Sequence, residues 1–141
     1  MDNPMLNTQQ LMVSTLNQIG CQPTVNHDDT VSVTYQGEDF YIDFGGTYAQ
    51  IWDLGWLDIN VDDPSLSQVR EAINNTNFTF GPTVVLTAPD EEGKIYFHSK
   101  LDIFLHPSIP EVESYVRASL DIFFRTKEAF RRNFQRITDE R

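Results

Sequence analysis

The sequence predicts an α+β fold in which helices pack on a mainly antiparallel sheet of about five strands. Apolar residues recur every three or four positions near both ends of the chain and once in the middle, the spacing of a one-sided helix. Between these stretches, apolar and polar residues alternate, as in strands with one buried face. Short turns separate neighbouring strands, which favours antiparallel pairing. The expected order is α-β-β-β-α-β-β-α.

In the first helix apolar residues recur every three or four positions, and in the hairpin after it they recur every second position. Leu11-Met12, Leu16 and Ile19 lie at helical spacing, and Gly20 is expected to end the helix. In residues 31–44 every second side chain is apolar on both sides of a turn at 36–39. This pattern predicts a β-hairpin with one buried face.

A third strand is expected around Tyr48–Leu54, continuing to Val61 past a bulge at Gly55. Asp63 and Pro64 then predict the start of a second helix, with Asp63 as the N-cap and Pro64 as the first helical residue.

Two more strands and a long helix complete the chain. The strands are expected at Thr83–Thr87 and Lys94–Phe104, joined by the turn 89–93. Ser108 and Glu111 have the spacing of a capping box, which predicts a helix that begins at Glu111. Its apolar stripe contains Val112, Val116, Leu120, Phe123, Phe124, Phe130, Phe134 and Ile137.

Length and composition predict a single domain. A chain of 141 residues, 40% of them hydrophobic, buries enough surface to fold without disulfides or metals. Cys21 is the only cysteine, which fits a reducing compartment. The polar N-terminus lacks the features of a signal peptide, and no apolar run is long enough to span a membrane. We therefore expect a cytoplasmic protein.

The charge of the chain is large and unevenly distributed. The formal net charge is −11, and residues 1–110 contain fifteen acidic but only three basic residues. Residues 111–141 contain six acidic and seven basic residues. Such an acidic protein is expected to avoid nucleic acid and anionic membranes, because binding to phosphates requires lysine and arginine.

No motif in the sequence predicts a catalytic, cofactor or metal site. Asp58–Asp62 matches the first half of a calcium loop, but Asp63 occupies the glycine position and Val69 the position of the final carboxylate. The three histidines are isolated along the sequence. Cys21 follows a helix C-terminus, where the dipole opposes a thiolate. We therefore expect a protein that is not an enzyme and needs no cofactor.

Four aromatic residues are the candidates for contact with a partner. Trp52 and Trp56 are of a type favoured at interfaces, although packing in the core is an alternative. Phe130 and Phe134 lie in the last turns of a helix of 27 residues from Glu111 to Ile137, about 40 Å long. Because the domain should be only roughly 37 Å across, these turns are expected to pack on a second subunit, to bend back onto their own domain or to fray.

The order of elements and several segments resemble the YbjN-like family of bacterial proteins, which have a type III secretion chaperone-like fold. The resemblance rests on the hairpin Val31–Phe44, on Val69–Asn74 before a strand, and on Leu120–Arg125 followed by Glu128–Phe130. It implies an α+β domain, often dimeric, that binds other proteins without catalysing a reaction.

The leading hypothesis is thus a homodimeric, chaperone-like or regulatory module that binds an extended or amphipathic protein segment. The alternative is a small-molecule sensor or small enzyme. Its apolar pocket on the sheet would be lined by Tyr41, Tyr48, Trp52 and Tyr96.

Overall fold

The computed structural model describes residues 3–140 and confirms the α+β fold with an antiparallel sheet. The elements, in chain order, are α1 (Pro4–Ile19), β1 (Thr24–Val25), β2 (Val31–Tyr35), β3 (Glu38–Gly45), β4 (Tyr48–Asn60), α2 (Leu66–Thr79), β5 (Thr83–Leu86), β6 (Lys94–Phe104) and α3 (Val112–Asp139). The strands lie in the order β1-β2-β3-β4-β6-β5. None of the helices formed by residues 3–140 is long and apolar enough to cross a bilayer.

The sheet has six strands in the described residues, where the sequence predicted about five. The additional strand is β1, which has only two residues and pairs through Thr24 with Ser32 and through Val25 with Val31. A segment this short contains no alternation, and therefore the sequence pattern did not reveal it.

The hairpin of β2 and β3 is confirmed, with a tighter turn than expected. Tyr35 pairs directly with Glu38, and Gln36 and Gly37 alone form the connection. Both have positive φ, +52° and +79°, as two-residue hairpin turns with the right twist require. The continuation of β4 past Gly55 is also confirmed, and Gly55 has a φ of +62°.

The second helix begins later than the sequence predicted. Asp63 is not the N-cap, and Pro64 is not in the helix, because α2 starts at Leu66 after Ser65. The Asp63 carboxylate instead accepts hydrogen bonds from the Ser65 amide at 2.8 Å and the Ser65 hydroxyl at 2.6 Å. These bonds stabilise a turn before the helix and lower the pKa of Asp63.

The capping box predicted for the last helix is also wrong. Ser108 bonds to His106, with 2.7 Å between the hydroxyl and Nδ1 and 3.1 Å between the Ser108 amide and Nδ1. Glu111 has a φ of +51° and lies outside the helix, which runs from Val112 to Asp139. The serine was therefore already engaged in a local turn that competes with helix capping.

The chain groups into two compact units. Unit 1 contains Met1–Asp53 and Leu101–Asp121, and unit 2 contains Leu54–Lys100 and Ile122–Arg141. That the chain is a single domain remains a prediction.

In unit 1, every second residue of the strands is buried. Apolar residues of α1 and of the part of α3 that belongs to this unit are buried with them. The buried side chains include Met12, Leu16, Val31, Val33, Phe40, Ile42, Ala49, Ile51, Val116 and Leu120. Helix α1 packs against β3. The Tyr35 hydroxyl donates to the Asp121 carboxylate at 2.6 Å and connects β2 to α3. Burial of the phenol, followed by this carboxylate, raises the pKa of Tyr35.

Unit 2 has its own apolar cluster, formed by Val69, Ala72, Ile73, Val84, Phe97, Phe130 and Ile137. Asn133 donates to the Thr76 hydroxyl at 3.0 Å, which connects α3 to α2. In this unit Phe123 is completely buried, as its place in the predicted stripe indicates.

Replacing Phe123 with alanine should lower the free energy of unfolding by roughly 3–5 kcal/mol, because a large cavity remains where the ring was. Urea denaturation would measure this loss. The control is Arg132→Ala, an exposed position on the same helix, where we expect a change within about 0.5 kcal/mol. Equal losses in the two variants would contradict the burial of Phe123.

Asp90 should contribute to stability in a pH-dependent way. It accepts the Lys94 and Glu92 amides, each at 2.9 Å, and the Tyr96 hydroxyl at 3.3 Å. The bond from Lys94 is the largest cause that lowers its pKa below 3.8. A lowered pKa means that the stabilisation is present above the unfolded pKa and is lost as the pH falls.

Asp90→Ala should therefore be less stable than the parent chain at neutral pH, and the difference should shrink in acid. Urea midpoints measured across this range would test the expectation, with exposed Glu91→Ala as the control. A difference that grows on acidification would have the wrong sign.

Candidate protein-interaction surface

The pleat of the strands gives unit 1 one sheet face that is exposed to solvent. Phe40, Ile42 and Phe44 of β3 are buried, and successive side chains of a strand point to opposite sides. The residues between them therefore face away from the core. We call this the open face and define it by Tyr41, Asp43, Tyr48, Gln50, Trp52, Asp102 and Phe104, all exposed or half-buried.

Strand pairing sets the residues of the open face side by side. Tyr41 lies opposite Trp52, and Asp43 lies opposite Gln50. The Trp52 indole N–H donates to the Gln50 side-chain oxygen at 2.9 Å, which orients the ring on the sheet. Aromatic side chains paired across strands in this way form a semi-rigid surface, because each has few rotatable bonds.

A row of rings borders this pair. Tyr48 and Phe104 meet edge to face, with 5.9 Å between ring centroids. Phe104 also stacks on His106, with 6.0 Å between centroids and 16° between ring planes. Tyr48 is 57% exposed and Phe104 44%, so that much of this apolar surface contacts water.

A cleft of about 410 Å³ opens on the open face beside these rings. It is lined by Asp43, Phe44, Gly45, Tyr48, Gln50 and Asp102. Asp43 accepts the Phe44 amide at 2.9 Å, which leaves most of its acceptor positions available, because a carboxylate has about four. The cleft thus combines carboxylate oxygens with the side of an aromatic ring.

Unit 1 carries nearly all of the net charge of the protein. Its sequence contains eleven acidic residues and one basic residue, Arg117, a balance of −10, whereas unit 2 contains ten acidic and nine basic residues, a balance of −1. At the rim of the open face, the Tyr41 hydroxyl points to Asp28 at 3.5 Å. Hydrogen bonds from Thr30 lower the pKa of Asp28. The open face therefore lies in a strongly acidic unit.

Of the four residues predicted to contact a partner, Trp52 lies on the open face and the other three lie in unit 2. Phe130 is only 3% exposed. Trp56 contacts the rings of Phe97 and Phe130 edge to face at 5.3 and 5.8 Å, and Phe134 stacks on Phe130 at 6.1 Å. The last turns of α3 thus pack on their own chain, one of the alternatives that the sequence left open.

Trp56 is further fixed by polar contacts. Its indole N–H donates to the Ser99 hydroxyl at 2.9 Å, and the Lys127 ammonium lies 5.6 Å from its ring centroid. Lys127 is buried and also contacts Phe124 at 5.6 Å. Such a cation over two rings is a stabilising arrangement within the fold.

The four residues of the alternative pocket are divided between the two units. Tyr48 lines the cleft, and Tyr41 and Trp52 pair beside it. Tyr96 belongs to unit 2, where its hydroxyl donates to Asp90.

Burial raises the pKa of the half-buried Cys21 thiol. Across residues 3–140 there is no group of three side chains suited to hold a metal ion.

Comparison with known proteins gives a structural relative only. No protein-family model matches the chain, and no curated protein matches it by sequence. The crystal structure of an uncharacterized protein from Methanothermobacter thermautotrophicus is similar, with a TM-score of 0.59 and 15% identity over 92% of this chain and 97% of that chain. This likeness shows the fold. Membership of the YbjN-like family remains a prediction.

The sheet edge formed by β5 is blocked by a side chain. The Asn77 amide group of α2 donates to the Val84 carbonyl at 3.0 Å, and the Val84 amide donates to the Asn77 oxygen at 2.8 Å. Asn77 thus makes the two hydrogen bonds that an added strand would make at this residue. Since β1 at the other end of the sheet has only two residues, strand addition is disfavoured at both ends.

Asn77→Ala should remove this protection. We expect a loss of about 1–3 kcal/mol of stability, because the Val84 backbone groups lose their partners, and more self-association through the open edge. Urea denaturation and sedimentation velocity would measure the two effects. Asn74→Ala, exposed on the same helix, is the control, and identical behaviour of the two variants would contradict this role of Asn77.

Proposed function

We propose that this protein is a non-enzymatic interaction module with chaperone-like or regulatory work, and that the open face of unit 1 binds an amphipathic segment of another protein. The carrying observation is the exposure of Tyr48 and Phe104 beside Tyr41 and Trp52 on one sheet face. Exposed apolar patches with polar neighbours are typical of binding surfaces.

The chemistry of the open face fits a protein segment. Burying a large apolar side chain stabilises by roughly 1.5–3 kcal/mol, and a partner that covers these rings gains part of that free energy. Gln50 and the carboxylates of Asp43 and Asp102 place polar oxygen atoms between the rings. A segment with alternating apolar and polar side chains would satisfy both kinds of group.

The blocked edge supports docking on the face over docking on the edge. Asn77 occupies the backbone groups of Val84 on β5, and therefore an extended partner gains little by pairing there. The face, by contrast, presents side chains from β3, β4 and β6 together.

The two tryptophans provide a direct test, because only Trp52 lies on the open face and Trp56 is packed in unit 2. A blocked peptide of alternating leucine and serine, kept below its own aggregation limit, serves as an uncharged probe. In ¹⁵N correlation spectra the indole signal of Trp52 should shift on titration, while that of Trp56 should remain in place. Trp52→Phe assigns the two signals.

Tyr48→Ser combined with Phe104→Ser should weaken binding of this peptide by about tenfold or more, because anchor residues dominate binding. Leu57→Ser combined with Val61→Ser is the matched control, since both are exposed apolar residues of unit 2. It should bind like the parent chain. Absence of any Trp52 shift, or a shift of Trp56 alone, would overturn the proposal.

A further inference from the structure

We infer that the partner segment is positively charged, and that a lysine or arginine side chain of that segment occupies the cleft between Asp43 and Asp102. This inference rests on the proposed function of the open face. It adds the chemistry of the partner, which exposure of the rings alone does not specify.

Charge complementarity is the first argument. Unit 1 has a formal balance of −10 with Arg117 as its one basic residue. A segment rich in lysine and arginine is attracted to such a unit over about 10 Å at 0.1 M salt, the distance over which exposed charges act. An acidic segment is repelled, and nucleic acid is repelled for the same reason.

The composition of the cleft is the second argument. Asp43 and Asp102 line it together with Gln50 and the ring of Tyr48. Ammonium and guanidinium groups form charge-assisted hydrogen bonds with carboxylates, and their flat or methylene surfaces pack on aromatic rings. A volume of about 410 Å³ admits the end of one such side chain with space for water.

The charge distribution also favours a different protein over a second copy. In a two-fold dimer through the open face, the same patch lies on both sides, which would bring two units of −10 together. A contact between the open face of one copy and the arginines of α3 in another is head to tail, and such contacts continue into open chains unless they close a ring. A basic segment of another protein has neither difficulty.

Three blocked peptides of equal length test the inference, with leucine alternating with lysine, serine or glutamate. The leucine–lysine peptide should shift the Trp52 indole signal at about tenfold lower concentration than the leucine–serine peptide, and the leucine–glutamate peptide should bind most weakly. In 1 M salt, where the screening distance is about 3 Å, the three affinities should converge.

Variants identify the carboxylates. Asp43→Asn combined with Asp102→Asn should weaken binding of the lysine peptide by about three- to tenfold and binding of the serine peptide much less, because asparagine keeps one oxygen acceptor but has no charge. The asparagine at 43 keeps an oxygen for the Phe44 amide. Asp62→Asn combined with Glu91→Gln makes the same change in net charge at exposed positions of unit 2 and should bind like the parent chain.

The outcomes separate this inference from the function on which it rests. Equal binding of all three peptides at Trp52, or equal loss in the two pairs of charge variants, overturns the inference and leaves the open face as a binding surface. Absence of binding by any peptide overturns both. A dimer in light scattering that dissociates in Asp43→Asn combined with Asp102→Asn would identify a second copy as the occupant and overturn the inference.

Discussion

In unit 1 the pleat of β3 and β4 decides which side chains of these two strands face the core and which face solvent. Because neighbours on a strand point to opposite sides, burial of Phe40, Ile42 and Phe44 forces Tyr41 and Asp43 into solvent. A shift of one residue in the strand register would exchange the two sets and bury Tyr41 and Asp43. The open face is therefore fixed by the core behind it. This explains how a surface with exposed rings keeps a defined geometry.

Gly55 limits how far this alternation of buried and exposed side chains extends along β4. Trp52 and Trp56 are four residues apart, and in a regular strand they would share a face. Gly55 has a φ of +62°, a backbone conformation that glycine adopts without cost, and its amide donates to His98 Nδ1 at 2.7 Å. After this point Trp56 packs against Phe97 and Phe130. One glycine thus separates the half-buried tryptophan of the open face from the half-buried tryptophan that packs against the apolar cluster of unit 2.

The periodicity of apolar residues could be read from the sequence. The local turns that replace helix caps and the order of the strands in the sheet could not. The alternation in β2–β4 and the stripe of α3 predicted those elements and the burial of Phe123. The starts of α2 and α3 were mispredicted because Asp63 and Ser108 bond within turns. Trp52 was predicted as a contact residue, but Phe104 was not, because its position beside Tyr48 depends on the order of β4 and β6 in the sheet.

Charged residues group differently in the folded units than they do along the sequence. Along the chain, basic residues concentrate after residue 110, which indicates an acidic body with a basic end. In the structure Arg70, Lys94 and Lys100 join the basic part of α3 in unit 2, and only Arg117 remains in unit 1. In the binding role that we propose for the open face, the negative charge of unit 1 disfavours acidic partners and nucleic acid. Exposed rings alone would attract many apolar surfaces, and it is this charge that would restrict them to basic ones.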